Sequence, residues 1–362
     1  MLGLFKSLKQ KVFPSYLGVD IGTTSIKIVE VKQGKQAPAL MNYGILQSSG
    51  YLLRANDVLQ TSSLKLFAEN AVDLLRMVLE KMKPTTSEAT ASLPIFSVFT
   101  SIFEFPEMSQ GDLEKSLTYQ ARQYVPLPIS EVAIDWIKVG EREDERGTKL
   151  QQVLMISVPQ ELIKKYQYIF KKAGLNLRLL EIESLSLGRS VVGNDQTPTI
   201  VVDIGSHSTN IAFFSKGQLK FSNQSDYGGS SLTQALASSL NVNPLRAEEL
   251  KKEHGIINTG PNYELSTIML PFLDVIISEI KKAEFNYKSQ FLADHATERL
   301  IISGGGANLF GVEKYFEKEF SFPIVKAAPM LKMEYPGVIE PLVGELNPLL
   351  SVALGLTLKD LA

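Results

Sequence analysis

The chain has 362 residues, with 37 basic against 39 acidic side chains, a formal net charge of −2, and 44% apolar and 21% charged residues. That length suits about two domains with a real core, and the balance excludes a disordered or fibrous chain and a dedicated nucleic-acid binder, which would carry a basic excess. The absence of cysteine removes disulfides, thiolate zinc sites, iron–sulfur clusters and a cysteine nucleophile, and it fits a reducing compartment.

The N-terminal run MLGLFKSLKQKVFP, residues 1–14, interleaves Leu4, Phe5, Leu8, Val12 and Phe13 with Lys6, Lys9 and Lys11. It lacks the long apolar core and cleavage site of a secretory signal and reads as a short basic amphipathic helix stopped by Pro14, either a membrane-surface or partner contact or a frayed leader. Next comes YLGVDIGTTSIKIVEVKQGK, residues 16–35, in which Leu17, Val19 and Ile21 alternate toward a turn at Gly22. Ile26, Ile28 and Val29 then resume a strand, so the segment predicts a β-hairpin. Leu64, Phe67, Ala68, Ala71, Leu75, Val78, Leu79 and Met82 recur at helical spacing up to Pro84. Ser109 and Asp112 resemble a capping box before a helix carrying Leu113, Leu117, Ala121 and Tyr124, and Pro159 opens another that Gly174 closes. Strand-like runs at Ala89–Leu93, Val98–Phe105, Val132–Val139 and Leu150–Val158 surround these helices, with a charged tip at Glu141–Lys149.

The hairpin plan recurs half a chain later in TIVVDIGSHSTNIAFFSKGQLKF, residues 199–221, so a duplicated supersecondary unit is the leading organisational fact. A helix follows Gly228 and Gly229, then a Lys/Glu-rich segment from Pro244 to Gly255 and a long helix at about 265–292. RLIISGGGANLFGVEKYFEKEF predicts a strand, three glycines and an amphipathic helix, and the chain closes with an Asn347–Pro348 turn and a helix. No run reaches the roughly 18–20 apolar residues that span a bilayer; the nearest, Ile268–Ser278, is broken by Pro271 and Asp274. The three histidines, His207, His254 and His295, are too scattered for a metal site, and no G-x-S-x-G elbow supports a serine hydrolase.

A D-x-G turn between antiparallel strands lets the backbone approach a ligand and, with positive φ at glycine, aim the next amides at an anion. Gly22 with Thr23, Thr24 and Ser25, and Gly205 with Ser206 and Ser208, would offer amides and hydroxyls to phosphate oxygens. Asp20 and Asp203 beside them make sense if a hydrated Mg²⁺ sits between, since magnesium keeps its waters and takes few direct carboxylates; Lys27 supplies a compensating charge. A lone D-I-G triplet is equally an ordinary hairpin turn, but two facing copies point to one ligand. Gly304, Gly305 and Gly306, between a strand and a helix, are where a flat group lies against bare backbone. In this order the three features point to a nucleotide.

The order DIGTTSIK, DIGSHST and SGGGANLFG resembles the two phosphate motifs and the adenosine motif of the actin, hexokinase and 70-kDa heat-shock-chaperone ATPase superfamily. More closely, LGVDIGTTSIKIVEV, EFPEM with QARQYVPLPISEVAIDW, AGLNLRLLEIESLSLGRS and SVALGLTLKDL are similar to the PilM family of actin-like type IV pilus assembly proteins, itself similar to FtsA. The resemblance implies an α/β, actin-like (ribonuclease H-like) fold of duplicated ATPase domains with an inserted 1C subdomain. Its parts would be subdomain 1A at 15–93, 157–195 and 347–362, 1C at 94–156, 2A at 196–236 and 298–346, and 2B at 237–297. It places Asp20, Gly22, Ser25 and Lys27 on the first phosphate motif, Asp203, Gly205 and Thr209 on the second, and Gly304–Gly306 on the adenosine motif. Glu279 and Lys282 have the E-x-x-K spacing the superfamily uses near the ribose, or form an exposed ion pair.

ATP and Mg²⁺ are the cofactors so implied, and the partner is the N-terminal cytoplasmic tail of a PilN-type membrane protein in a groove between 1A and 1C. Other inner-membrane and motor components of the pilus are further partners, with self-association open and no nucleic acid expected. The location implied is the cytoplasm, at the inner face of the cell membrane through these partners. Two functional classes remain: a nucleotide-dependent scaffold, or an ATPase or phosphotransferase in which Glu183 orients the attacking water, although a helix carboxylate at such a place more commonly faces solvent. A divergent FtsA fits less well, because the sequence stops at LTLKDLA without that protein's C-terminal amphipathic helix. His207, inside the second turn, points either toward the phosphates or to solvent.

Overall fold

The computed structural model describes residues 15–47, 68–256, 263–291 and 296–361; the expected basic leader, the expected helix positions Leu64 and Phe67, and His295 lie outside them. In the first half the elements are β1 (Ser15–Ile21), β2 (Ser25–Gln33), β3 (Pro38–Gln47), α1 (Ala68–Met82), β4 (Glu88–Leu93), β5 (Phe99–Pro106), α2 (Gln110–Tyr124), β6 (Val132–Glu143), β7 (Lys149–Pro159), α3 (Gln160–Lys172), β8 (Asn176–Ile182) and α4 (Glu183–Val191). In the second they are β9 (Thr199–Ile204), β10 (Thr209–Ser215), β11 (Gln218–Ser225), α5 (Gly229–Leu240), α6 (Pro244–His254), α7 (Tyr263–Gln290), β12 (Arg299–Ser303), α8 (Val312–Phe316), β13 (Ile324–Lys326) and α9 (Val343–Leu361).

The duplication is a duplication of sheet topology. One five-stranded sheet runs β3-β2-β1-β4-β8 and the other β11-β10-β9-β12-β13. In each, an antiparallel three-strand meander leads, and two strands then join in parallel beside the first. The sequence expectation captured the hairpin of each meander and missed β3, β8 and β13, which are short or poorly alternating runs. A third sheet, β5-β7-β6, is wholly antiparallel and lies between β4 and α3 in the chain. It has its own small core of Leu113, Leu117, Ala121, Val153 and Met155 under α2, and Ser109 caps that helix by accepting from the Asp112 amide.

Two helices hold the halves in register. Gly355 of α9 lies so close to α4 that a Cβ would stand 1.8 Å from the Ser186 carbonyl oxygen, and Gly188 on α4 leaves room for the Phe214 ring of β10. Burying a helix against both halves removes apolar surface from water at about 25 cal/mol per Å², and glycine at the contacts permits the approach. Residues Gly337–Lys359, which include most of α9, are apolar and long enough to cross a bilayer by length and hydropathy, contrary to the expectation that no stretch would be. That apolarity serves packing: 67% of the window is buried, and Leu350, Ala353 and Leu354 sit with Val29, Val31 and Leu40 in one cluster. Asn347 and Pro348 lie inside α9 rather than in a turn. Proline is tolerated there because the carbonyl it leaves unbonded belongs to Gly344, which faces solvent.

Candidate functional site

Both D-I-G turns open into one cleft between the halves. It is lined by Asp20 to Ser25 and Lys27 from the first hairpin, by Asp203, Gly205, Ser206, Ser208 and Asn210 from the second, and by Glu183 from α4. An apolar wall of Ala71, Leu162, Tyr166 and Ile169 with Pro94 and Phe96 closes the first-half side.

The two turns are built alike. Gly22 N donates to Ser25 O at 2.9 Å and Gly205 N to Ser208 O at 2.9 Å, so each is closed by the same bond at the same offset. Neither glycine has positive φ, contrary to expectation. What requires glycine is proximity: a Cβ would lie 3.2 Å from Ser25 O at Gly22 and 2.9 Å from Ser208 O at Gly205. The second turn is braced from behind by the start of α5, where Gly229 N and Ser230 N donate to the Gly205 and Ser206 carbonyls at 2.9 and 2.8 Å. At Gly228 a Cβ would collide with those carbonyls at 2.8 and 2.6 Å.

Strand register explains the charges. Asp20 stands opposite Lys27, and Asp203 opposite Asn210. Lys27 Nζ lies 3.1 Å from Asp20 Oδ2, and Ser92 donates to Asp20 Oδ1 at 2.9 Å. Burial opposes the lysine charge, yet Asp20, Asp203 and Glu183 together hold its pKa above the ordinary value. Burial, then repulsion from Asp203 and Asp20, pushes the Glu183 carboxyl up to about 8, against the Ile95 amide and Lys27. Burial also raises Asp203, with Lys27 and Ser303 pulling the other way and Asp20 adding to the rise. Asn210, in the position corresponding to Lys27, instead donates to Ser184 Oγ at 2.8 Å and accepts from Ser222 at 3.2 Å, tying α4 to the second sheet.

The structure thus brings together Asp20, Gly22, Thr23, Thr24, Ser25, Lys27, Glu183, Asp203, Gly205, Ser206 and Ser208. It does not bring Thr209 to the cleft: that side chain is on the opposite face of β10, and its hydroxyl donates to Tyr227 O at 2.7 Å. Asn210 lines the cleft in its place, and the repeat itself carried the signal, because DIGTTSIK and DIGSHSTN align Lys27 with Asn210 and Thr209 with the core residue Ile26. Gly304–Gly306 do not line the cleft; they pack on the end of β9, where Gly304 has φ +79° and a Cβ would lie 2.5 Å from Ile204 O and 2.9 Å from Asp203 Oδ1. Glu279 and Lys282 are away from the cleft lining and form an i,i+3 ion pair at 3.6 Å with the lysine 66% exposed. The same spacing at Glu248 and Lys251 is packed behind the second turn, with Lys251 Nζ 2.6 Å from Glu248, 2.9 Å from Gly229 O and 2.8 Å from Thr233 Oγ1. His207 takes neither expected course: its Nδ1 lies 3.1 Å from Thr23 Oγ1 across the cleft.

The sequence profile of the family described as "Type IV pilus assembly protein PilM" matches residues 18–361. The chain belongs to the PilM family. It is 22% identical over 255 residues to the cell division protein FtsA of Neisseria meningitidis, covering 62% of this chain and 61% of that protein, so it spans about three-fifths of that relative's length. Among solved structures, a PilM–PilN type IV pilus biogenesis complex superposes with a TM-score of 0.80 at 21% identity, over 96% of this chain and 98% of that one. MreB5 of Spiroplasma citri bound to AMPPNP gives a TM-score of 0.53 at 15% identity, covering 94% of both chains. These likenesses confirm the actin-like α/β fold of this PilM-family member.

Proposed function

We propose that this PilM-family chain is an ATP-binding scaffold of type IV pilus assembly, in which nucleotide and Mg²⁺ draw the two halves together. The observation that carries the reading is the pair of turns, identical in backbone closure, facing one cleft that also holds Asp20, Lys27, Asp203 and Glu183. The donor set fits a hydrated magnesium. Among the described residues no cluster of three or more His, Asp or Glu side chains would cage a metal alone, and Asp20 and Asp203 would hold Mg²⁺ through its waters and the phosphates. A cation held there would offset the carboxylate repulsion that adds to burial in raising Glu183 and Asp203. The turn amides and the hydroxyls of Thr23, Thr24, Ser25, Ser206 and Ser208 orient the phosphates, and an adenosine that reaches past the cleft lining to the end of β9 would meet the exposed backbone of Gly305, between Gly304 and Gly306, which pack on Ile204.

The three-stranded sheet with α2 then serves as the inserted 1C unit of the subdomain plan, and the groove between it and the first sheet takes an N-terminal tail of a PilN-type membrane protein. A solved PilM–PilN complex with the same fold supports that partner. The chain accordingly works in the cytoplasm at the inner face of the membrane, held by its partners. A nucleotide that prefers the closed arrangement stabilises it by its differential affinity. Calorimetry with Mg·ATP tests the nucleotide reading, which fails if the folded protein takes up none. Titration with a PilN-type tail peptide, with and without Mg·ATP and with Asp20→Ala and Asp203→Ala, tests the scaffold; absence of peptide binding in every condition overturns it. The second reading, hydrolysis, is favoured by Glu183 in the cleft. A carboxyl raised to about 8 is mostly neutral at pH 7 and accepts a proton from water poorly, which fits slow turnover in a scaffold.

A further inference from the structure

We propose that His207 and Thr23 form a latch that holds the two glycine turns together across the cleft and must open for a phosphate group to enter between them. The inference rests on the phosphate reading of the cleft. The two residues come from different halves, 184 positions apart, and their side chains meet at 3.1 Å. Each stands on a turn whose backbone is closed by its own bond, Gly22 N to Ser25 O and Gly205 N to Ser208 O. The second turn is further pinned by Gly229 N, Ser230 N and the Ser230 hydroxyl, which donates to Ser206 O at 2.7 Å. The imidazole is therefore presented from a fixed base, and a change at the latch means either a rotation of these side chains or a parting of the halves.

Thr23, Ser206 and Ser208 all line the cleft, so the Thr23 hydroxyl engaged by His207 is one of the groups a phosphate would claim. Either tautomer of the ring serves, since Nδ1 can accept from the hydroxyl or donate to it. Burial lowers the His207 pKa and keeps the ring neutral. A phosphate oxygen is charged and makes the stronger, charge-assisted bond, so it displaces a neutral imidazole. Lys27, Asp20, Asp203 and Glu183 share the cleft, and the displacement needs no change in their protonation. One neutral hydrogen bond sets the scale, about a two- to tenfold change in an equilibrium.

The experiment uses the full chain without nucleotide, reading amide hydrogen exchange in residues 22–25 and 205–208, and then calorimetry with Mg·ATP. His207→Ala should exchange about two- to tenfold faster in both turns and bind Mg·ATP tighter by a similar factor, because no latch has to open. His207→Asn, whose amide can still reach Thr23, should restore slow exchange. Should His207→Ala not fold, Thr23→Ala is read in the exchange arm in the same way. Unchanged exchange overturns the latch. Weaker nucleotide binding by a folded His207→Ala overturns it too, since His207 would then be a phosphate ligand. If neither wild type nor variant binds Mg·ATP, the nucleotide reading fails, while the exchange arm still decides whether the latch exists.

Discussion

The two D-I-G hairpins share a backbone and have parted in chemistry at one register position. Opposite Asp20 the first carries Lys27, a half-buried cation beside Asp20, Asp203 and the Glu183 carboxyl; opposite Asp203 the second carries Asn210, a neutral amide bonded to Ser184 and Ser222. The first turn therefore supplies charge to the cleft, and the second supplies attachment to α4, the helix between the halves. Duplication fixed where the turns meet, and single substitutions then assigned their tasks. Removing the charge should break this division most severely. Lys27→Met leaves Asp20, 9% exposed, without its partner beside Asp203 and Glu183, and unpairing a buried charge costs about 4 kcal/mol. Chemical denaturation at pH 7 should show that loss.

Glu183 sharpens the same point through pH. Its folded pKa of about 8 lies above the ordinary 4.5, so the folded state keeps a proton that the unfolded chain releases. Stability from this group is fully present below about pH 4.5 and is lost as pH rises through about 8. Glu183→Gln cannot ionise, so it should be close to wild type at about pH 5 and more stable than wild type by on the order of 3 kcal/mol at about pH 9. Equal stability of the two proteins at both pH values would show that solvent or Lys27 already relieves the burial.

The turns themselves differ in tolerance. Gly228→Ala puts a methyl within 2.6 Å of Ser206 O and 2.8 Å of Gly205 O, backbone atoms that are pinned by α5. It should cost about 2 kcal/mol by overpacking and weaken nucleotide binding. Gly22→Ala, facing a contact of 3.2 Å, should cost less, and thermal melts of the two variants side by side measure the asymmetry.

Much of this arrangement was legible in the chain. The paired D-I-G motifs, their offset and the alternating apolar residues around them located both hairpins. Glu183 stands out only as a candidate from its position in the segment linking the halves, where a solvent-facing helix carboxylate is the commoner outcome, and the structure puts it on the cleft lining. What escaped has physical causes. Thr209 is a plausible phosphate ligand by residue type, but side chains alternate across a strand, and its place in the repeat matches Ile26 rather than Lys27. β8 and β13 join their sheets in parallel, through long-range pairing that no local alternation announces. Positive φ was expected at Gly22 and Gly205, where the constraint is a nearby carbonyl instead. The His207–Thr23 contact depends on how two halves approach, which no local pattern encodes.

The smallest expected effect concerns two E-x-x-K pairs that look alike in sequence and differ in burial. Glu279 and Lys282 hold their pair at 3.6 Å with side chains 29% and 66% exposed. Water screens such a pair, so Glu279→Ala with Lys282→Ala should change stability by less than about 0.5 kcal/mol and leave Mg·ATP affinity unaltered. Glu248 and Lys251 are 20% and 11% exposed, and their lysine also holds the carbonyl of Gly229, a residue of the brace behind the second turn. Lys251→Ala leaves Glu248 with the more exposed Lys252 at 3.4 Å and the Thr233 hydroxyl, and leaves the Gly229 carbonyl with Thr233 Oγ1 at 3.0 Å, so by removing the inner cation it should loosen the second turn and lower nucleotide affinity where the surface pair does not. A drop in affinity for the Glu279/Lys282 variant equal to that for Lys251→Ala would mean that α7 reaches the ligand after all. The contrast would then lie in how far the halves move when the cleft fills, and not in which pair is buried.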